Sequence, residues 1–160
     1  MALICGAGTA LCHAEPADVI ARVKPSIVAI GTFQQLRSPQ FAFRGTGFVV
    51  GDGSLVVTNA HVLPASVDSA RRESLVVAVP PPDGMTDVQA RQARAIASDK
   101  EYDLVVLQIQ GAPLPALPLA EAVRVREGDT FLFTGFPIGP VLGLIPEWDM
   151  IQALRLPAAA

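Results

Sequence analysis

Cysteine is nearly absent from this chain: Cys5 and Cys12 are the only two in 160 residues. Everything after residue 12 therefore holds no disulfide framework and no cysteine-based metal site. Positive charge is not in excess either, since 12 Lys and Arg stand against 15 Asp and Glu for a net charge of −3. That balance gives no electrostatic reason to expect nucleic acid or an anionic membrane surface as a partner. Aromatic residues are scarce at 6%, and past the N-terminus no stretch offers the ~18 uninterrupted apolar residues of a membrane-spanning helix. Charged residues make up only 17% against 51% apolar, which excludes a disordered chain. Punctuation is what the sequence has in plenty. Its 14 prolines and 13 glycines cut it into short pieces and argue against long helical bundles.

Residues 1–14 are small and apolar and end Ala10-Leu11-Cys12-His13-Ala14 before the polar Glu15-Pro16. That order is the apolar core and small-residue cleavage site of a signal peptide, and it predicts a periplasmic or secreted protein. The start carries no basic residue, which counts against this reading.

Pro16 to Lys24 reads as a short helix, with Val19, Ile20 and Val23 on one face and Pro25 as the stop. Short β-branched runs follow, separated by turn signals, the pattern of an all-β barrel or sandwich. Six strands are expected by Ile109. They are Ser26 to Gln34, Thr46 to Val50, Leu55 to Thr58, Leu75 to Val79, Val88 to Ser98 and Leu104 to Ile109. The second and third form a hairpin around Gly51-Asp52-Gly53. Val88 to Ser98 is ambiguous, because its alanines and arginines favour helix while its neighbours favour an antiparallel strand. The domain boundaries that follow are 15–110 for a first barrel, 111–119 for a proline-rich connector, and 120–160 for part of a second barrel. Within that last part, Thr130 to Thr134 and Val141 to Ile145 are its expected first strands.

Chemistry concentrates at Thr58-Asn59-Ala60-His61-Val62, at the end of a strand, and at Asp103, which heads Leu104 to Ile109. A histidine oriented by a carboxylate is two-thirds of a Ser-His-Asp machine, in which imidazole takes the serine proton and the carboxylate stabilises the imidazolium. Spacing alone does not distinguish this from a hinge histidine and a turn aspartate.

The flanking residues do. Gly45-Thr-Gly-Phe-Val-Val-Gly-Asp-Gly-Ser-Leu-Val-Val-Thr-Asn-Ala-His-Val62 closely resembles the histidine region of trypsin-like serine proteases, nearest the bacterial HtrA-type peptidases. Asp103-Leu-Val-Val-Leu-Gln-Ile109 resembles that family's Asp-Leu-Ala-Val-Leu segment, and Gly135-Phe-Pro-Ile-Gly139 its Gly-x-Pro-x-Gly loop. The resemblance spans roughly residues 19 to 145. It implies a chymotrypsin-like six-stranded antiparallel barrel plus the start of a second barrel, with His61 as general base and Asp103 as its orienter. Asp99 is the nearest competitor for that second role. It also implies a polypeptide substrate, no cofactor and no metal.

The nucleophile does not follow. The family carries it in a later Gly-x-Ser-Gly-like segment whose N–H groups also form the oxyanion hole. Here no serine occurs after Ser98, and the seven serines up to that point sit in no glycine-flanked elbow. Three readings stay open: an N-terminal portion of a serine endopeptidase, inactive as it stands; a non-catalytic pseudoprotease barrel that binds peptides; and a non-functional truncated product. Apolar residues from Thr130 onward, lacking the rest of a second core, are expected to be poorly ordered or to mediate self-association. Arg71-Arg72 reads as a solvated loop, and Cys5, Cys12 and His13 are weak as metal ligands.

Overall fold

The computed structural model describes residues 16–79, 89–120, 130–136 and 151–155. A short helix, α1 (Pro16–Val23), leads through a 3-10 turn into β1 (Ile27–Phe33). There follow β2 (Phe41–Val50), β3 (Leu55–Asn59), β4 (Ser74–Val79), β5 (Gln89–Asp99) and β6 (Leu104–Ile109). These six close into an antiparallel barrel in the order β1-β2-β3-β6-β5-β4. The expected all-β, six-stranded barrel is what the chain forms.

Alternation drives the closure. In β6, Val105, Leu107 and Ile109 are buried while Leu104 is exposed, so one face of the strand points inward. Val28, Ile30, Val49, Val56 and Val77 meet them from the other strands, each fully removed from solvent. β2 begins five residues earlier than the sequence suggests. The pairing jumps from Ile30↔Gly45 to Gly31↔Phe43, which leaves the exposed Arg44 as an extra, bulged residue. A bulge breaks the two-residue period on which the sequence reading depended. The ambiguous segment is strand: β5 pairs with β4 over Gln89 to Gln92 and with β6 over Ala93 to Asp99.

The β2–β3 turn joins the barrel to the connector. Gly51 and Gly53 take positive φ of 65° and 88°, and Asp52 Oδ1 accepts from the Ser54 N–H at 2.9 Å and the Ser54 hydroxyl at 2.6 Å. Gly53 C=O accepts from the Leu114 N–H at 2.9 Å, and Val49 C=O from the Leu117 N–H at 2.8 Å. Leu114, only 9% exposed, belongs to the barrel core. Residues 111–120 thus form no helix or strand and are pinned along the barrel by these bonds.

Beyond it, β7 (Thr130–Thr134) pairs antiparallel with β8 (Ile151–Arg155). Strand β7 stands where the sequence put one; β8 was not foreseen. The expected strand Val141 to Ile145 lies outside the described residues, as does the leader 1–14.

Candidate active site

Barrel closure sets β3 beside β6, with Asn59 opposite Leu104. The residues just past each strand end are thereby neighbours on one rim. After Asn59 the chain enters a single 3-10 turn, Ala60–Val62, whose Val62 side chain is buried. A Cβ at Gly45 would lie 2.7 Å from a Val62 methyl, so a glycine there allows the turn to seat tightly on the barrel. His61, in the middle of the turn, is left pointing outward with a side chain 72% exposed.

Asp103 reaches it from the β5–β6 turn. Its carboxylate takes two hydrogen bonds from one residue: the His61 main-chain N–H at 2.9 Å on Oδ1, and the His61 ring Nδ1 at 2.5 Å on Oδ2. These bonds, the main-chain one first and then the ring's, hold the Asp103 carboxyl below its ordinary range. The Asp103 carbonyl is engaged as well, accepting from the Ala60 N–H at 3.0 Å and from Asn59 Nδ2 at 3.1 Å. Asp103 adopts φ of 53°, a left-handed conformation that aspartate tolerates better than most residues. Asp99 takes no part. Its Oδ1 accepts from the N–H groups of Glu101 and Tyr102 within its own turn.

With Nδ1–H donated to Asp103, the neutral ring presents Nε2 as an acceptor. Among the described residues no serine is hydrogen-bonded to His61. No group of three or more His, Cys, Asp or Glu among them could hold a metal ion.

A second set of contacts reaches the rim from the other unit. The Phe136 N–H donates to Thr46 Oγ1 at 2.7 Å, and the Phe136 and Phe43 rings meet edge to face at 6.3 Å. The Thr46 carbonyl in turn accepts from the buried Thr58 hydroxyl at 2.7 Å, three residues before His61. Sequence reasoning missed Asn59, Thr46 and Thr58 as contributors. Their only signal was membership of the motifs around His61.

Comparison with known proteins agrees with this architecture. The trypsin-like peptidase domain family matches residues 45–147, most of the chain. The chain belongs to the trypsin-like peptidase family. Within the family its likenesses are to HtrA-type proteases. It is 32% identical to the serine protease HTRA3 of Rattus norvegicus over 127 residues, covering 76% of this chain and 26% of that protein. It is 34% identical over 106 residues to a Chlamydia trachomatis protein named probable periplasmic serine endoprotease DegP-like, covering 66% of this chain and 19% of that one. The solved structure of the HtrA-type protease AlgW with decapeptide superposes with a TM-score of 0.62 at 22% identity, covering 89% of this chain and 45% of that one. That structural likeness speaks for the fold. The chain spans about a quarter of the length of rat HTRA3, at 26%.

Proposed function

We propose that this chain is the histidine- and aspartate-bearing portion of a trypsin-like serine endopeptidase. His61 serves as general base and Asp103 as its orienter. The observation that carries the reading is the two-point grip of the Asp103 carboxylate on the His61 N–H and ring. In peptide hydrolysis, a serine Oγ attacks the scissile carbonyl while Nε2 of His61 takes the hydroxyl proton. Asp103 stabilises the resulting imidazolium, and the same proton passes to the leaving amine as the peptide bond breaks. The substrate class is polypeptide, and the compartment is periplasmic or secreted. No helix among the described residues is long and apolar enough to cross a membrane.

None of the seven serines sits in a glycine-flanked elbow, so no nucleophile is assigned among these 160 residues. By themselves these residues should not hydrolyse peptides, since loss of one triad member leaves only residual catalysis from binding and the oxyanion hole. A fluorophosphonate probe applied to the purified chain tests this. No labelling is expected; labelling at a serine whose replacement abolishes it would overturn the assignment.

Self-association through β7 and β8 belongs to the same proposal. Among the described residues these two strands pair only with each other, and an unpaired strand edge is a template for joining another chain. Sedimentation velocity should show concentration-dependent species, and a monomer at every concentration would refute it.

A further inference from the structure

Asn59 precedes the 3-10 turn that carries His61, the position where an asparagine ordinarily caps the turn with its own side chain. It makes no such cap. Its amide Nδ2 instead crosses to β6's entry and donates to the Asp103 carbonyl, 44 positions on. The Ala60 N–H donates to the same oxygen. One peptide oxygen of Asp103 is thus held by two donors from the His61 segment, while the carboxylate of the same residue holds two donors from His61 itself.

The direction of that oxygen matters because Asp103 is left-handed, at φ of 53°. A non-glycine residue in this region relaxes to ordinary φ unless its surroundings hold it. Relaxation rotates the peptide carbonyl and changes the bearing of the side chain, which withdraws the carboxylate from at least one of its two donors on His61. The backbone donor at Ala60 restrains the carbonyl along one direction. The Asn59 amide, arriving from a side chain, supplies the second direction.

We propose that Asn59 is a positioning residue: by holding the Asp103 carbonyl, it fixes the left-handed backbone from which the carboxylate reaches the ring of His61. This rests on the reading of His61 and Asp103 as base and orienter, because its consequence is the tautomer that leaves Nε2 free to accept a proton. A residue lacking a donor here would leave the barrel intact, since Asn59 is exposed, but would loosen the pair.

The ring nitrogens report this without any need for hydrolysis. The chain has two histidines, so the 15N shifts of His61 are assigned by a His13→Ala control. At ~pH 9, where an ordinary histidine is neutral, the unaltered chain should show the Nδ1–H tautomer at His61. Asn59→Ala should move the ring toward the Nε2–H tautomer that free histidine favours. Asn59→Asp, isosteric but with an acceptor facing the carbonyl, should do the same and keep the shape. The Asp103 carboxyl, followed by 13C, should titrate upward in Asn59→Ala toward its ordinary range. Methyl shifts of Val56 and Leu107 should be unchanged in both variants.

If both variants keep the Nδ1–H tautomer and the Asp103 midpoint, the proposal is wrong. Variants that lose the barrel also count against it, for they make Asn59 a determinant of the fold. An Nε2–H tautomer already present in the unaltered chain would instead overturn the base-and-orienter reading, and the Asn59 proposal with it.

Discussion

Two carboxylates, Asp103 and Glu73, are each held below their ordinary range by nearby donors, and they serve different ends. Asp103 sits on an open rim, and its hydrogen bonds go to the residue it orients. Glu73 ties two loops together. Its Oε1 accepts from Arg37 at 2.8 Å and its Oε2 from the Asp68 N–H at 3.2 Å, while Arg37 also donates to the Thr32 carbonyl at 2.6 Å. Hydrogen bonding with Thr32 first, then with the Asp68 N–H and Arg37, lowers the Glu73 pKa from 4.5 to about 2. A carboxylate whose folded pKa is depressed adds stability that is complete above the unfolded value and is lost as pH falls through the folded one. The window for Glu73 therefore runs from its ordinary 4.5 down to about 2. Glu73→Gln should lower the melting temperature near neutrality yet lose less on acidification across that window. Thermal melts of both proteins at several pH values check this; parallel curves would show that Glu73 is not the linked group.

At the scale of elements, the β2–β3 turn offers an internal control. Gly51 and Gly53 both have positive φ, but a Cβ on Gly51 meets only a Leu55 methyl at 3.6 Å. A Cβ on Gly53 would overlap the carbonyl oxygen of Leu114, which is backbone and cannot swing aside. Gly51→Ala should cost about 1–2 kcal/mol, the left-handed penalty alone. Gly53→Ala should cost that and a further ~1–3 kcal/mol for overpacking, because the connector has to lift. Urea midpoints of the two variants measure the difference, and equal costs would mean that the connector is not seated there. Legibility at this scale followed local signal. β6 was readable to the residue because its Leu-Val-Val-Leu-Gln-Ile run is apolar and β-branched. β5 was ambiguous for the opposite reason: nearly every residue from Gln89 to Asp99 is exposed, so no one-sided period exists to read, and ladder pairing alone makes it strand. The Ile-Gln-Ala-Leu-Arg segment of β8 carries no β-branched run or turn signal to read, and it becomes a strand through pairing with β7. Leu114 could not be recognised as core in a proline-rich segment, since only the folded hairpin provides the surface that buries it.

For the molecule as a whole, the question is how the β7 unit is held to the barrel that carries His61. The described contacts run through β2: the Phe136 N–H on Thr46 Oγ1, and the Phe43–Phe136 ring pair. Thr46 is central because its hydroxyl faces Phe136 while its carbonyl accepts from Thr58, on the strand that ends at the histidine turn. Thr46→Val keeps the β-branched shape and removes the hydroxyl. It should speed amide exchange at Phe136 by about tenfold, the equivalent of one net hydrogen bond of ~1.4 kcal/mol, and leave the barrel amides of β1 and β6 unaffected. Unchanged exchange at Phe136 would mean that other contacts carry the attachment.

The sequence by itself determined the barrel and its two notable side chains. Strand identity there is encoded locally, in alternating β-branched residues and glycine turns, and His61 and Asp103 stand in recognisable strings. Only the tertiary structure decided that these two residues touch and Asp99 does not. Two aspartates, at 99 and 103, flank the same β5–β6 turn, and their carboxylates are chemically alike on paper. Which carboxylate reaches the ring depends on the register of β3 against β6 and on a left-handed turn at Asp103. Register is a property of paired strands and handedness is maintained by hydrogen bonds to Asn59 and Ala60, so neither exists until the barrel closes.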